Sequence, residues 1–531
     1  MSESLNYEHY PFDPQQLPCG WAVTSINSVA TDIESGFPSG EHNEEGRGVP
    51  HLRPMNIDRQ GRIDLTKLKF VDIPSPKTVR HGDVLFNNTN SPELIGKTSV
   101  INSEAQLAFS NHMTRIEVNS NADPRFVAAQ LHFLWMTGYF KHRCVNHVNQ
   151  ASISTDPLSN TVPLLIAPSN EQQRIADALD ELLSDLDAGV EALQRAQAKL
   201  ALYRASVLKA AVQGDLTAEW RNQHPDAEPA SVLLQRILVE RRQRWEQEQL
   251  RKFKAAGKTP PANWKAKYKE PVAPDTTNLP PLPEGWCWAT MEQVCGFITK
   301  GTTPSGPEAP KESGDIPFLK VQHLSAVGKF HFADSPAFVS ETVHSGFLAR
   351  SKVYPGDVLM NIVGPPLGQV AIVPDNWPVW NVNQAIAIFR CVPGVLNHYL
   401  ATCLSTDSLL VRALKRAKTT AGQVNLTLEI CRELPIPLPP TAEQEGMAEL
   451  IDDQTSMLDH LDEDIQKKVV TSIPFRQSIL RHAFTGQLVP QDPKDEPASE
   501  LLKRITAERE ARKKTKATPR KQTAKRQKRE K

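Results

Sequence analysis

The sequence predicts an α+β protein: two mostly-β domains joined by two long antiparallel helices that form a coiled-coil spacer, with an internal pseudo-two-fold repeat. Three observations predict it. Two stretches of almost 50 residues each carry a single thin apolar stripe at helical spacing. Blocks of sequence recur in the same order in both halves of the chain. Between the helical stretches lie short apolar runs broken by Gly, Pro, Asn and Asp, the pattern of small strands and tight turns.

The first long stretch is Pro168 to Leu216. Ser169 or Asn170 can cap it, and Glu171 places negative charge in the first turn, where the helix dipole favours it. Ile175, Leu179, Leu182, Leu186, Val190, Leu193 and Leu200 form the stripe. From Glu171 to Gln213 the helix would span roughly 64 Å at about 1.5 Å per residue. One thin stripe cannot bury so long a helix, so it needs a partner. Pro440 to Leu488 supplies it, 272 positions on (440 against 168). PSNEQQRI becomes PTAEQEGM, and RASVLKAAVQGDL becomes RQSILRHAFTGQL. Its stripe is Met447, Ile451, Leu458, Ile465, Phe475 and Ile479. Gln454 and Asp462 weaken the middle, and Pro474 is expected to kink or split the helix.

The repeat extends outward. Leu17-Pro-Cys-Gly-Trp21 answers Leu282-Pro-Glu-Gly-Trp286, and Gly48 to Arg53 answers Asp315 to Lys320. His81-Gly-Asp-Val-Leu-Phe-Asn87 answers Pro355-Gly-Asp-Val-Leu-Met-Asn361, and Asn149 to Ser154 answers Gly422 to Thr427. After each long helix comes EPASVLLQRILVER or EPASELLKRITAER. The expected organisation is therefore a polar segment 1–16, a domain 17–167, a long helix 168–216 and a charged helix 217–253. A Pro/Lys-rich extended tether, 254–281, leads to the second domain 282–439, long helix 440–488, charged helix 489–512 and a basic disordered tail 513–531.

Lys plus Arg equals Asp plus Glu, 61 each, so bulk charge names no partner. Its distribution does more. Residues 511–531 hold eleven Lys or Arg against one Glu, leaving the rest of the chain acidic, so a polyanion site elsewhere must be a local patch. Seven scattered cysteines with no metal-ligand spacing suit a reducing cytoplasm. No signal peptide and no membrane-length apolar run are expected, which predicts a soluble cytoplasmic protein without a membrane partner.

Catalytic motifs are missing. Ile362-Val-Gly-Pro-Pro-Leu-Gly368 lacks the Asn/Asp and the aromatic that a base-flipping methyltransferase needs and reads as a turn. Asp464 to Lys467 lies on a helix without the upstream carboxylate of a nuclease. There is no GxxxxGK[ST] phosphate loop, and the fifteen His show no metal pairing. The chain is expected not to be an enzyme and to bind no cofactor or metal itself.

Two LPxGW-like motifs, two GDVL motifs and two long helices ending in RQSIL-x-x-AFxGxL-like blocks, in this order, resemble the specificity subunit of a type I restriction-modification system. The resemblance runs from Leu17 to about Arg512; Cys19, the degenerate start at Pro440 and the basic tail depart from it. It implies two target-recognition domains that read double-stranded DNA without catalysis. It also implies two modification (methyltransferase) subunits docked on the helices, with two restriction (helicase-nuclease) subunits as optional additions. S-adenosylmethionine, ATP and Mg would belong to those partners.

Base edges are read by paired donors and acceptors on loops or helix ends. In the first domain the candidates are Arg53, Asn56, Asn87, Asn88, Gln150 and Ser152. In the second they are Lys300, Thr302, Lys320, Gln322, Asn383, Gln384, Lys415, Arg416, Lys418, Gln423 and Asn425. Any turn is rich in Asn, Gly and Ser, so each residue alone is weak evidence. GDVL reads as the turn that starts a buried strand. Framework motifs repeat while loops differ, which predicts an asymmetric bipartite target with an unread gap. A specificity subunit of another methyltransferase-based defence assembly, and a coiled-coil adaptor that binds no DNA, stay open beside this expectation.

Overall fold

The computed structural model describes residues 5–511 except 40, 74–76, 149, 326–329 and 421–422, and leaves the side chains of 418–420 and 423 undescribed. The chain divides into two compact units, residues 1–194 with 466–531, and residues 195–465. Each is α+β. Among the described residues no helix is long and apolar enough to cross a membrane.

In the first unit a four-stranded antiparallel sheet runs in the order Ala30–Ser35, Met113–Val118, Val84–Asn87, Thr98–Val100. The helix Pro124–Met136 covers it, started by Asp123, whose carboxylate accepts from Arg125 N. A second sheet runs Lys69–Val71, Val49–Leu52, Leu107–Phe109, Thr78–Val79, with its central pair parallel. Val84–Asn87 is buried throughout, so alternate residues feed two cores: Val84 and Phe86 one, Leu85 the other.

The second unit uses the same devices. One sheet runs Cys295–Lys300, Ile386–Cys391, Val358–Asn361, Val370–Ile372; the other runs Phe338–Val339, Ile316–Leu319, Trp380–Val382, Lys352–Val353, again with a parallel central pair. The GDVL motifs are turns that start buried strands. Gly82 and Gly356 hold φ of 85° and 84°, and Asp83 and Asp357 each accept from the backbone N–H three residues earlier.

Each LPxGW motif joins three segments of its own unit. The strand after it pairs with the strand before a long helix: Ala22–Ser25 with Pro163–Ile166, and Cys287–Thr290 with Pro435–Leu438. Its Gly carbonyl accepts from the EPAS segment, Ala498 N to Gly20 O and Ala230 N to Gly285 O, both 2.8 Å. Its Pro meets the glycine that ends a long helix. A Cβ on Gly486 would lie 2.4 Å from Pro18 Cγ, and one on Gly214 2.5 Å from Pro283 Cγ. Position 19 is exposed, so Cys19 does not disturb this junction.

The long helices span Ser169–Gln213 and Thr441–Phe484. In the first unit Ile175 and Leu179 pack with Ile479, Leu480, Ala483 and Phe484, and Asp187 pairs with Arg476. In the second, Gln197 donates to Asp462 (2.9 Å) and Arg204 pairs with Asp459. Numbers rise on one helix as they fall on the other, so the segments are antiparallel within each unit.

Three expectations change. Pro474 does not split its helix, which runs unbroken to Phe484, held on the C-terminal side by Arg476, Ile479 and Leu480. Phe475 and Leu182 leave the seam, 58% and 40% exposed, because the buried Arg476 and the half-buried Leu183 take the inward positions. The stretch 254–281 is not simply an extended tether. Trp264 stacks on Trp245 at 5.8 Å and Tyr268 tilts against it at 5.3 Å, folding the linker back along the helix Ala230–Ala255.

Candidate nucleic-acid interface

In both units the exposed polar loops gather where the GDVL strand ends. In the first, the chain passes from Asn87 into Thr89–Asn90, which pairs with Ala151–Ser152 of the hairpin Val145–Ser152. Gln150 is exposed at the hairpin turn, closed by His147 N to Gln150 O at 2.7 Å. His147 Nε2 lies 3.0 Å from Ser152 Oγ. Gln150, Ser152, His147, Thr89 and Asn90 therefore belong to one small three-stranded sheet and its hairpin turn. A two-stranded ribbon is an element the major groove admits.

Three candidates there are corrected. Asn56 is fully buried; its amide donates to Asp64 O (2.9 Å) and its Oδ1 accepts from Arg53 N (2.9 Å). Asn87 is also fully buried and donates to Leu94 O (2.8 Å). Asn88, 5% exposed, donates to Thr114 Oγ1 (2.9 Å) and accepts from Thr89 Oγ1 (2.7 Å). These amides hold loops in place and have no face left for a base. Half-buried Arg53 donates to Lys67 O (3.4 Å), away from the ribbon. Its loop is braced from below: buried Lys97 donates to Pro54 O (3.2 Å) and to Ile57 O, and burial lowers its pKa. Buried His132 accepts from Thr98 N at Nδ1 (3.3 Å) while Nε2 faces Arg59 O (3.2 Å), and burial pushes its pKa down to about 4.

In the second unit Lys300, Thr302, Asn383 and Gln384 come together. Gly301 N donates to Ile386 O and Thr302 N to Val382 O. A Cβ at Gly301 would lie 2.0 Å from Val382 O, so the two loops can touch only because residue 301 has no side chain. Thr303 Oγ1 bonds Gln384 Oε1 across the gap. Lys300, Thr302 and Gln384 are exposed, and Asn383 Oδ1 is used by Ala385 N (3.2 Å). Lys320 and Gln322 lie elsewhere, on a short turn where Lys320 N donates to His323 Nδ1 (3.1 Å) and Gln322 Nε2 to Ser335 Oγ (2.6 Å).

A second hairpin, Lys418–Thr420 with Gln423–Asn425, joins the GDVL strand exit through the bridge Asn425 to Val363. Asn425 Oδ1 is buried without a partner among the described residues. Lys415 and Arg416 are exposed at the end of the helix Asp407–Arg416, Arg416 paired with Glu433. The side chains of Lys418 and Gln423, residue Asn149 and the tail 513–531 lie outside the described residues.

In this first-unit loop the sequence singles out Asn87 and Asn88, which the structure buries. Thr89, Asn90 and His147 carry no such signal in the sequence, because the pairing that brings them beside Gln150 and Ser152 joins segments about 60 residues apart. The signal for excluding Asn87 was present: its counterpart Asn361 ends the same motif and is equally buried. No group of three or more His, Cys, Asp or Glu among the described residues could hold a metal ion.

Residues 283–470 match the family model described as "Type I restriction modification DNA specificity domain". The chain is 23% identical over 520 residues to the EcoKI specificity subunit of Escherichia coli K12, covering 93% of this chain and 97% of that one. It is 25% identical over 339 residues to the EcoEI specificity subunit of Escherichia coli, 62% of this chain but only about half, 52%, of that protein. A solved structure titled for complex assembly and conformational transition of the type I R-M system has a TM-score of 0.61 at 17% identity, covering 90% of this chain and all of that one. In this domain match and in these relatives, the chain is similar to the specificity subunits of type I restriction-modification systems.

Proposed function

We propose that this chain is the non-catalytic subunit that reads an asymmetric, bipartite DNA target, one unit per half-site. The observation that carries the proposal is the contrast between scaffold and surface. Both units share strand order, GDVL turn and LPxGW junction, while most polar side chains near the GDVL strand exit differ: exposed His147 and Gln150 with half-buried Thr89, Asn90 and Ser152 in one, exposed Lys300, Thr302 and Gln384 with half-buried Asn425 in the other, Gln150 alone being answered by the same residue, Gln423. A fixed frame with unlike donors and acceptors is what reading two unlike half-sites requires.

The internal repeat is taken as a pseudo-two-fold, with the paired long helices as a coiled-coil spacer that leaves a gap of unread base pairs. Exposed apolar side chains on those helices, Leu202, Tyr203 and Met457 in one unit and Val470, Ile473 and Phe475 in the other, suit docking of two methyltransferase subunits, with restriction subunits joining them. Sequencing methylated sites in host cells with and without the gene tests this. Loss of one split, asymmetric motif is expected on deletion; an unchanged methylome would refute it.

A further inference from the structure

The helix Ala230–Ala255 is anchored by its first turns, through Ala230, Leu233 and Ile237, and by Arg241, which donates to Cys295 O. None of residues 241–255 is buried. Apart from the face of Trp245 and Phe253 this part of the helix is polar, and a helix with so little buried surface gains little from its own propensity, so its composition points to what it meets. From Arg241 to Lys269 there are ten Lys or Arg against two Glu. Those two are already engaged, Glu246 by Arg242 and Lys265, Glu248 by Lys252. Arg251, Lys254, Lys258, Lys267 and Lys269 are exposed and have no carboxylate partner among the described residues.

The linker lies against this helix through the Trp245, Trp264 and Tyr268 cluster, and Lys265 Nζ bonds Glu246 (2.9 Å). Helix, linker and the adjoining domain surface bound a groove of about 560 Å³, where Arg241, Arg244, Lys267 and Lys269 outnumber the carboxylates Glu240 and Glu248, which pair with Arg244 and Lys252. Cations are thus held on both walls of one groove.

We propose that residues 241–269 form a basic arm that grips the phosphate backbone of duplex DNA without reading sequence, adding to the affinity of the recognition surface. The arm rests on the DNA-reading role proposed above. Duplex DNA is favoured over an acidic protein because the feature is extended and occurs twice. The EPAS segment of each half leads into a basic stretch, 241–269 here and 511–531 with eleven cations in the other. A duplex bound at both half-sites presents continuous phosphate charge beside each arm, which suits cations spread along about 30 residues better than one protein patch would; two docked partner copies would also meet both arms, and the partner-association readout below separates them.

The test uses the full chain with its modification partners and the fivefold variant R251Q/K254Q/K258Q/K267Q/K269Q, whose altered side chains are all exposed. Binding to a duplex carrying the methylated sequence and to a scrambled duplex is followed across a salt series. Both should weaken by the same factor, about tenfold or more near 0.1 M salt, and the log–log salt slope should shrink by up to about 0.9 per lost phosphate contact. The ratio between duplexes, and the methylated sequence in cells, should not change. Unchanged affinity and slope would overturn the arm, as would unchanged DNA binding with weakened partner association, which would mark an acidic protein surface instead. A wild-type complex that binds DNA but prefers neither duplex would defeat the sequence-reading role while the slopes still decide the arm. No binding by wild type to either duplex would overturn both.

Discussion

The two long helices start on the same pair of residues, Glu171-Gln172 and Glu443-Gln444, and all four are buried. The glutamines do identical work. Gln172 donates to Ala167 O (2.7 Å) and accepts from Asp123 N (3.0 Å); Gln444 donates to Pro439 O (3.1 Å) and accepts from Leu396 N (2.8 Å). The glutamates differ. Glu443 accepts from Arg221 Nη1 (2.5 Å), Thr217 Oγ1 (2.6 Å) and the Trp286 indole N–H (2.8 Å). Glu171 is approached by Trp21 and Gln491, but less closely: its Oε1 and the Trp21 indole N–H are buried without a hydrogen bond of ordinary geometry among the described residues. Arg174, the nearby cation, is bonded to Asp495 at 2.7 Å. Burial accordingly raises the Glu171 pKa. One framework position can thus be an electrostatic anchor in one unit and an under-satisfied acid in the other.

The largest effect should come from R221A. It strands the Glu443 carboxylate, with only Thr217 and Trp286 to solvate it, at a cost of about 3 kcal/mol to the second unit. Chemical denaturation should show that transition falling, with E443Q/R221M recovering much of the loss. A single substitution without measurable effect would mean that the pair is not an anchor.

The Trp comparison is smaller. W286F removes a hydrogen bond to a buried charge and should cost roughly 1.5–3 kcal/mol, whereas W21F removes only the looser approach of an indole N–H to Glu171 and should cost clearly less. Equal losses in the two units would show that Trp21 and Glu171 are bonded in solution after all.

E171Q should change stability least, and its signature is pH dependence. With a folded pKa above the ordinary 4.5, the folded first unit holds this proton more tightly than the unfolded chain does. The stability it contributes is full below pH 4.5 and is lost as pH rises through the raised value. Wild type should therefore gain on E171Q as pH falls from 7 toward 4.5, measured from the first unit's denaturation midpoint. A pH-independent difference would contradict the raised pKa.

Much of this frame was legible in the sequence because repeated blocks mark positions that both units must satisfy. The Glu-Gln pair, the glycines at 214 and 486 and the GDVL turns each proved to be a junction. Exposure within loops was not legible. Asn87 and Gln150 are similar polar residues in turn-rich segments, yet one lies under the sheet edge and the other on it. Only strand pairing distinguishes them, and that pairing joins distant parts of the chain. The helix–linker arm was hidden because stacking between Trp245 and Trp264 has no local pattern. The partnering of Glu443 was equally hidden, since Arg221 lies 222 positions away.

The central claim is that each unit reads its own half-site, and exchanging one unit tests it most directly. Residues 17–167 would be replaced with the equivalent segment of a related specificity subunit, and the methylated sites of cells carrying the hybrid sequenced. The account predicts that one half-site changes to the donor's while the other half-site keeps its sequence. A simultaneous change in both half-sites would contradict it.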